Sequence, residues 1–168
     1  DSSDWFNRVD WSYTNNNFGS GLPVSNKNST RWGIMGPLLN RTDFDPSNSQ
    51  LLFGAAHMRD ILRIRSSSAL FRLRTEADTN NRITHYNTSN AQAALIAYTI
   101  SDMSGTDLDP AYEMMIVLIN ANKMAQTINI PGLPANNVQL HPVHRDGVDD
   151  DSIITSGASY SNGNFTVP

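Results

Sequence analysis

Apolar positions recur at helical spacing over 46–66. There Leu51, Ala55, Met58, Ile61 and Leu62 share a stripe that only Arg65 interrupts. Asp45 reads as the N-cap and Pro46 as the first helical residue. Arg59, Arg63 and Arg65 crowd the C-terminal half, where cations complement the helix macrodipole. Gly54 costs the helix about 1 kcal/mol relative to Ala, so close packing is expected at that point. The run Ser66-Ser67-Ser68 ends the helix, and Leu70, Phe71 and Leu73 form a short apolar connection. Residues 1–45 keep neither a helical nor a strand period and read as a long loop, with room for a short helical turn around 5–9. From about residue 80 the pattern becomes that of strands, at 82–87, 94–101, 114–120, 125–130, 138–143 and 164–167. Polar turns such as Asn136-Asn137 and Ser161-Asn162-Gly163 lie between them. Short strands punctuated in this way predict an antiparallel sandwich. The unbroken apolar run 114–119 predicts a central strand covered on both faces.

Composition narrows the class. The chain has 168 residues, 39% of them hydrophobic, which fits one domain or one domain plus part of another. Asn, Ser and Thr are abundant, and their side chains compete with the backbone for hydrogen bonds, favouring turns. Twelve basic and 16 acidic residues give a net charge of −4 without a basic stripe, which argues against nucleic acid as a partner. No apolar run approaches the length of a membrane span. With no cysteine, disulfides and thiolate metal sites are excluded.

The aromatics are uneven. Nine of the 14 lie in residues 1–75, and Trp5, Trp11 and Trp32 all precede residue 33. Sugar rings stack on aromatic faces while Asp, Asn and Arg bond their hydroxyls. Trp5, Phe6, Asn7 and Arg8, bracketed by Asp4 and Asp10, therefore read either as sugar contacts or as a staple fixing an irregular loop. Glycoside hydrolysis needs two flanking carboxylates, one of them kept protonated. Of 16 acidic residues only Glu76 and Glu113 are Glu. Glu76 reads as part of a polar turn and Glu113 as a strand start, both solvated, so no acid–nucleophile pair is evident. His141 and His144 lie three apart on a predicted strand and would face opposite sides, against joint metal ligation. The acidic run from Asp146 to Asp151 lacks the calcium-loop spacing and reads as a solvated turn. The four Asn-x-Ser/Thr matches, at Asn28, Asn40, Asn87 and Asn164, are what an Asn-rich chain produces by chance.

Several stretches, in order along nearly the whole chain, resemble the pullulanase-type α-1,6-glucosidases, the bacterial pullulanases and plant limit dextrinases. They are Asp4-Trp5-Phe6-Asn7-Arg8-Val9-Asp10-Trp11, Asn16-Asn17-Phe18-Gly19-Ser20-Gly21-Leu22-Pro23, residues 59–73, Leu140-His141-Pro142-Val143 and Phe165-Thr166-Val167-Pro168. In residues 59–73 Ala69 stands where the family usually has Pro. The resemblance implies hydrolysis of α-1,6 branch points in pullulan and limit dextrins by a (β/α)8 barrel. An Asp nucleophile, a Glu acid/base and a second Asp would all lie upstream of the matched region. It implies that residues 1–75 are the end of that barrel, loop plus last helix, and that 76–168 form an all-β C-terminal domain. The expected fold is thus mainly β, an antiparallel sandwich preceded by an irregular aromatic-rich segment and one long barrel helix. Asp4-x-x-Asn7-Arg8 resembles an element whose Asp and Arg line a glucose subsite. Asp4 and Arg8 are the implied substrate contacts, with Trp5 and Phe6 beside them. No catalytic residue, metal ligand or cofactor is implied within the chain, and its partners would be an α-glucan and the upstream barrel. Family members usually continue past Pro168 into one more apolar strand, so the β-domain is expected to lack its last strand and expose an edge. A competing reading is a carbohydrate-binding module, and another is a plain structural domain. An exposed coplanar aromatic pair after residue 75 would favour the module.

Overall fold

The computed structural model describes residue 12 and residues 21–89, 91–146 and 151–168. The chain divides into two units, Asp1–Arg59 and Asp60–Pro168, and the division falls within one long helix.

In the first unit, the stretch expected to be irregular is largely helical where it is described. Helix α1 (Ser25–Asn28) runs through a 3-10 turn (Ser29–Arg31) into α2 (Trp32–Leu39). The Trp32 indole N–H donates to the Pro23 carbonyl at 2.8 Å and ties the start of α2 to a buried proline. Gly33, Gly36 and Pro37 inside α2 hid this helix, because such residues read as loop punctuation.

Helix α3 (Asn48–Ser67) begins two residues later than the sequence predicts. Its start is a capping box that the reading from Asp45 missed. Ser47 accepts the first helical bond from Leu51 N–H at 3.0 Å, and the Gln50 side chain accepts from Ser47 N–H at 2.8 Å. The serines end it as expected. Ser66 and Ser67 donate to the carbonyls of Arg63 and Ile64 at 2.9 and 2.8 Å. Ser68 then turns extended and caps the 3-10 turn Ala69–Arg72 by accepting from Leu70 N–H at 3.1 Å. Ala56 and Asp60 are buried, whereas Met58, Ile61 and Leu62 on the apolar stripe are about half exposed. Gly54 has open space around it, not a close neighbour.

The second unit continues with α4 (Glu76–Arg82), β1 (Ile83–Tyr86), β2 (Leu95–Ser101), β3 (Met114–Asn120) and β4 (Gln126–Asn129). After these come α5 (Pro142–Asp146), α6 (Ser152–Gly157), β5 (Ser159–Ser161) and β6 (Asn164–Val167). The strands form two small antiparallel sheets, ordered β1-β2-β3 and β4-β6-β5. With this much helix among the described residues, the architecture is mixed and not mainly β. The period of two divides β2 and β3 between two cores. Leu95 and Ala97 join Ile128, Ile130, Phe165 and Val167 in a core shared by both sheets. Ile100 and Met115, opposite each other in register, pack on Leu70 from the other side.

Three expectations are revised here. The apolar run of β3 is an edge strand of its sheet, with Ile119 half exposed, and β2 is the central one. The predicted strand at 138–143 does not form. His141 precedes Pro142 at the first position of α5, an N-cap and proline signature that favours a helix. Strand β5 was missed because Ser159-Tyr160-Ser161 carries little apolar signal. Its turn was read correctly, since Ser161 pairs with Asn164 across Asn162-Gly163, both at positive φ. A Cβ at Gly163 would lie 2.9 Å from the Ile130 carbonyl, so no larger residue fits without a shift.

The asparagines explain the polar composition. Asn87, at positive φ, donates to the carbonyls of Gln92 and Leu95 and accepts from Gln92 N–H, closing the β1–β2 loop. Asn120 donates to the carbonyls of Met124, Val167 and Pro168, tying the end of β3 to the end of β6. Such amides replace ladder bonds in a chain with many short connections.

Candidate functional site

The proposed substrate contacts Asp4, Trp5, Phe6 and Arg8 lie outside the described residues, as does the short turn expected around 5–9. What the described residues do carry is a cluster around Arg82, built from α4 outward. Thr75 caps α4 by accepting from Asp78 N–H at 3.0 Å, and its hydroxyl donates to the Asp78 carboxylate at 2.7 Å. Glu76 is therefore the first residue of a helix, not part of a turn, and it is exposed. At the other end of the same helix, Arg82 is buried. Its guanidinium donates to Asp102 at 2.5 Å, to the Ser101 carbonyl at 3.3 Å and to the Thr106 carbonyl at 2.6 Å. Asp102 also accepts from the backbone N–H groups of Leu108 and Asp109, at 3.0 and 2.7 Å. The loop closes tightly, for a Cβ at Gly105, which has positive φ, would lie 3.2 Å from the guanidinium. Beside the cluster is an open recess of about 410 Å³ lined by Asp78, Asn81, Arg82, Ser104, Gly105 and Thr106.

The electrostatics give this cluster a structural part. Burial alone would raise the Asp102 carboxyl. The N–H donors of Asp109 and Leu108, with the Arg82 charge, outweigh it and hold the group below its ordinary value. Asp78 is likewise held low, first by the Thr75 hydroxyl. A general acid in glycoside hydrolysis needs the opposite shift. Asp60, also buried, is engaged by Arg63 at 2.7 Å. Glu113 is exposed, and its carbonyl accepts from Asp102 N–H. No group of three or more metal-ligating side chains occurs among the described residues.

His141 immediately precedes α5 and His144 lies within it, so neither is on a strand. Of the acidic run, Asp151 caps α6 by accepting from Ile153 and Ile154 N–H, while residues 147–150 lie outside the described residues. Among the described residues after 75 no Tyr or Phe ring is exposed. Tyr86, Tyr98, Tyr112 and Tyr160 are half-buried and Phe165 is buried. Tyr160 packs on Phe165 at 4.7 Å and donates its hydroxyl to the Pro134 carbonyl.

Comparison with known proteins decides the family. The model of the C-terminal region of pullulanase-type alpha-1,6-glucosidases matches residues 13–168. The chain belongs to this family. It is 36% identical to pullulanase 1, chloroplastic, of Arabidopsis thaliana over 99% of this chain and 18% of that protein. It is 31% identical to a pullulanase of Klebsiella pneumoniae over 77% of this chain and 12% of that protein. A pullulanase of Klebsiella aerogenes is 33% identical over 61% of this chain. The chain thus spans less than a fifth of the length of the curated relatives it matches. For this pullulanase-type region the Arg82 cluster is the part that sequence reading overlooked. Thr75-x-x-Asp78 was the available signal, since Ser or Thr followed three residues later by an acid marks a helix start.

Proposed function

We propose that this chain is the C-terminal region of a debranching enzyme that hydrolyses α-1,6-glucosidic linkages in starch-type glucans. The family match over residues 13–168 carries this reading. The chain's part is structural. Residues 1–75 complete the catalytic barrel, with α3 as its last helix, and 76–168 form a sandwich-type domain packed against it. The apolar stripe of α3 supports this, because Met58, Ile61 and Leu62 are left about half exposed and a barrel would cover them. Asp4 and Arg8 contact a glucose ring at a subsite of the intact enzyme, with Trp5 and Phe6 beside them. Buried and half-buried aromatics after residue 75 favour this reading over a binding module, which needs exposed rings.

A reducing-sugar assay on pullulan tests the reading. The intact enzyme releases reducing ends, and the 168-residue chain alone releases none above a blank. Turnover by the isolated chain that disappeared in Glu76→Gln would overturn the structural assignment.

A further inference from the structure

His141 sits where three elements meet in the second unit: the end of α3, the start of α5, and the segment before β3 that carries Tyr112. Its ring nitrogens are both engaged. Nδ1 faces the Val143 backbone N–H at 3.2 Å and must accept, since a backbone N–H only donates. Nε2 lies 3.0 Å from the Ser67 hydroxyl oxygen. That hydroxyl spends its one proton on the Ile64 carbonyl at 2.8 Å, so it accepts from Nε2–H. Two independent contacts therefore select the same neutral tautomer, protonated on Nε2. His141 also gives its carbonyl to the N–H groups of His144 and Arg145, at 2.9 and 3.1 Å, so it occupies the N-cap position of α5. Here an imidazole nitrogen does what the oxygen of Asn, Asp or Ser does in an ordinary cap, and unlike them it titrates near neutrality.

Protonation has an asymmetric effect on this arrangement. Nε2–H keeps its bond to Ser67. Nδ1 gains a proton and then opposes the Val143 N–H, donor against donor. We propose that His141 is an acid-released latch: neutral, it caps α5 and hangs it from the end of α3; protonated, it withdraws the cap while the ring stays tethered to Ser67. The groups facing it fit this role. Tyr112 stacks on the ring at 6.4 Å, α3 contributes the uncharged Ser67 hydroxyl, and the charge acting on the ring is that of His144. Burial first and His144 second keep the imidazole below its ordinary value of 6.5. The cap is therefore in place above 6.5 and is lost as pH falls through the lower native value.

Amide hydrogen exchange of the full chain, corrected for the intrinsic pH dependence of exchange, tests the latch. Acidification from neutral pH should speed exchange at Val143 by about fivefold, as expected for loss of an ordinary cap. His141→Asn keeps an acceptor at the Nδ1 position that does not titrate, and its Val143 exchange should be flat over the same range. His144→Gln removes the like charge and should move the release to higher pH. Imidazole nitrogen shifts of the native chain give a second readout, and at neutral pH they should report Nδ1 unprotonated. An Nδ1-protonated tautomer, or equal acid sensitivity in native chain and His141→Asn, would overturn the proposal.

Discussion

Arg82, the last residue of α4, meets Asp102, the first residue after β2, at 2.5 Å, with side chains only 2% and 3% exposed. The pair fixes a helix end, a strand end and the loop to residue 109 at one point. A buried ion pair adds little over well-packed apolar residues, but removing one partner leaves an uncompensated charge. Arg82→Ala should therefore lower the melting temperature of the chain by roughly ten degrees. Arg41→Ala breaks the solvent-exposed pair with Asp43 and should have little effect. The double change Arg82→Met, Asp102→Leu should recover part of the loss. Equal melting temperatures for Arg82→Ala and Arg41→Ala would show that the cluster is not an anchor.

The core on the other side of β2 gives a second test. Leu70 is 1% exposed and is the side chain on which Ile100 and Met115 pack. Leu70→Ala should cost about 2–5 kcal/mol in urea unfolding. A loss below 1 kcal/mol, in the range of surface substitutions, would contradict the packing.

Acid should weaken the fold through the same region. Asp102 and Asp78 are both held below their ordinary 3.8, so the unfolded chain takes up protons first as pH falls. Their contribution is complete above 3.8 and is lost as pH drops through the lower native values. Urea midpoints measured across the acid range should fall more steeply in the native chain than in Asp102→Asn. Parallel curves would place the acid response elsewhere.

Much of this architecture is readable from residues that act locally. The serines after Arg65 and the Asn162-Gly163 turn act through their own backbone, and both were legible. So were β2 and β3, whose apolar residues are dense enough to mark a strand whichever sheet position they take. What was not legible depends on partners far along the chain. Nothing local distinguishes β3 as an edge, because edge or centre is decided by pairing. His141 looked like a strand residue because Val138, Leu140 and Val143 surround it with strand formers, and the His-Pro cap outweighed them. The apolar stripe on α3 was legible from its spacing, but which of its neighbours are buried was not, because the burial of Ala56 and Asp60 depends on what packs against the helix. Asp4, Trp5, Phe6 and Arg8 came from a motif, and their places lie outside the described residues.

The glucan contact remains testable by kinetics. If Arg8 hydrogen-bonds a sugar hydroxyl in the intact enzyme, Arg8→Ala removes a charged hydrogen bond worth about 1.5–3 kcal/mol. kcat/KM on pullulan should fall roughly ten- to a hundredfold. Unchanged kinetics in a normally folded variant would make Arg8 a loop residue.

The last test concerns the outward face of α3. Met58, Ile61 and Leu62 are 55%, 45% and 52% exposed, and they follow one another at helical spacing. Single exposed apolar residues are ordinary, but a contiguous stripe is a surface that associates. In the intact enzyme the proposed occupant is the barrel. In the isolated chain the stripe has no such cover, and a second copy offers the same apolar surface. Sedimentation over a concentration series should therefore show association of the isolated chain. Met58→Glu with Leu62→Glu should abolish it, because two desolvated carboxylates on each face cost far more than the contact returns. Both substitutions fall at exposed positions, so the fold should survive and circular dichroism should be unchanged. In the intact enzyme the same pair of changes should do the opposite and destabilise the whole protein, since the face is then buried. A monomeric native chain at every concentration, or an intact enzyme indifferent to both glutamates, would mean that this stripe faces solvent in both settings.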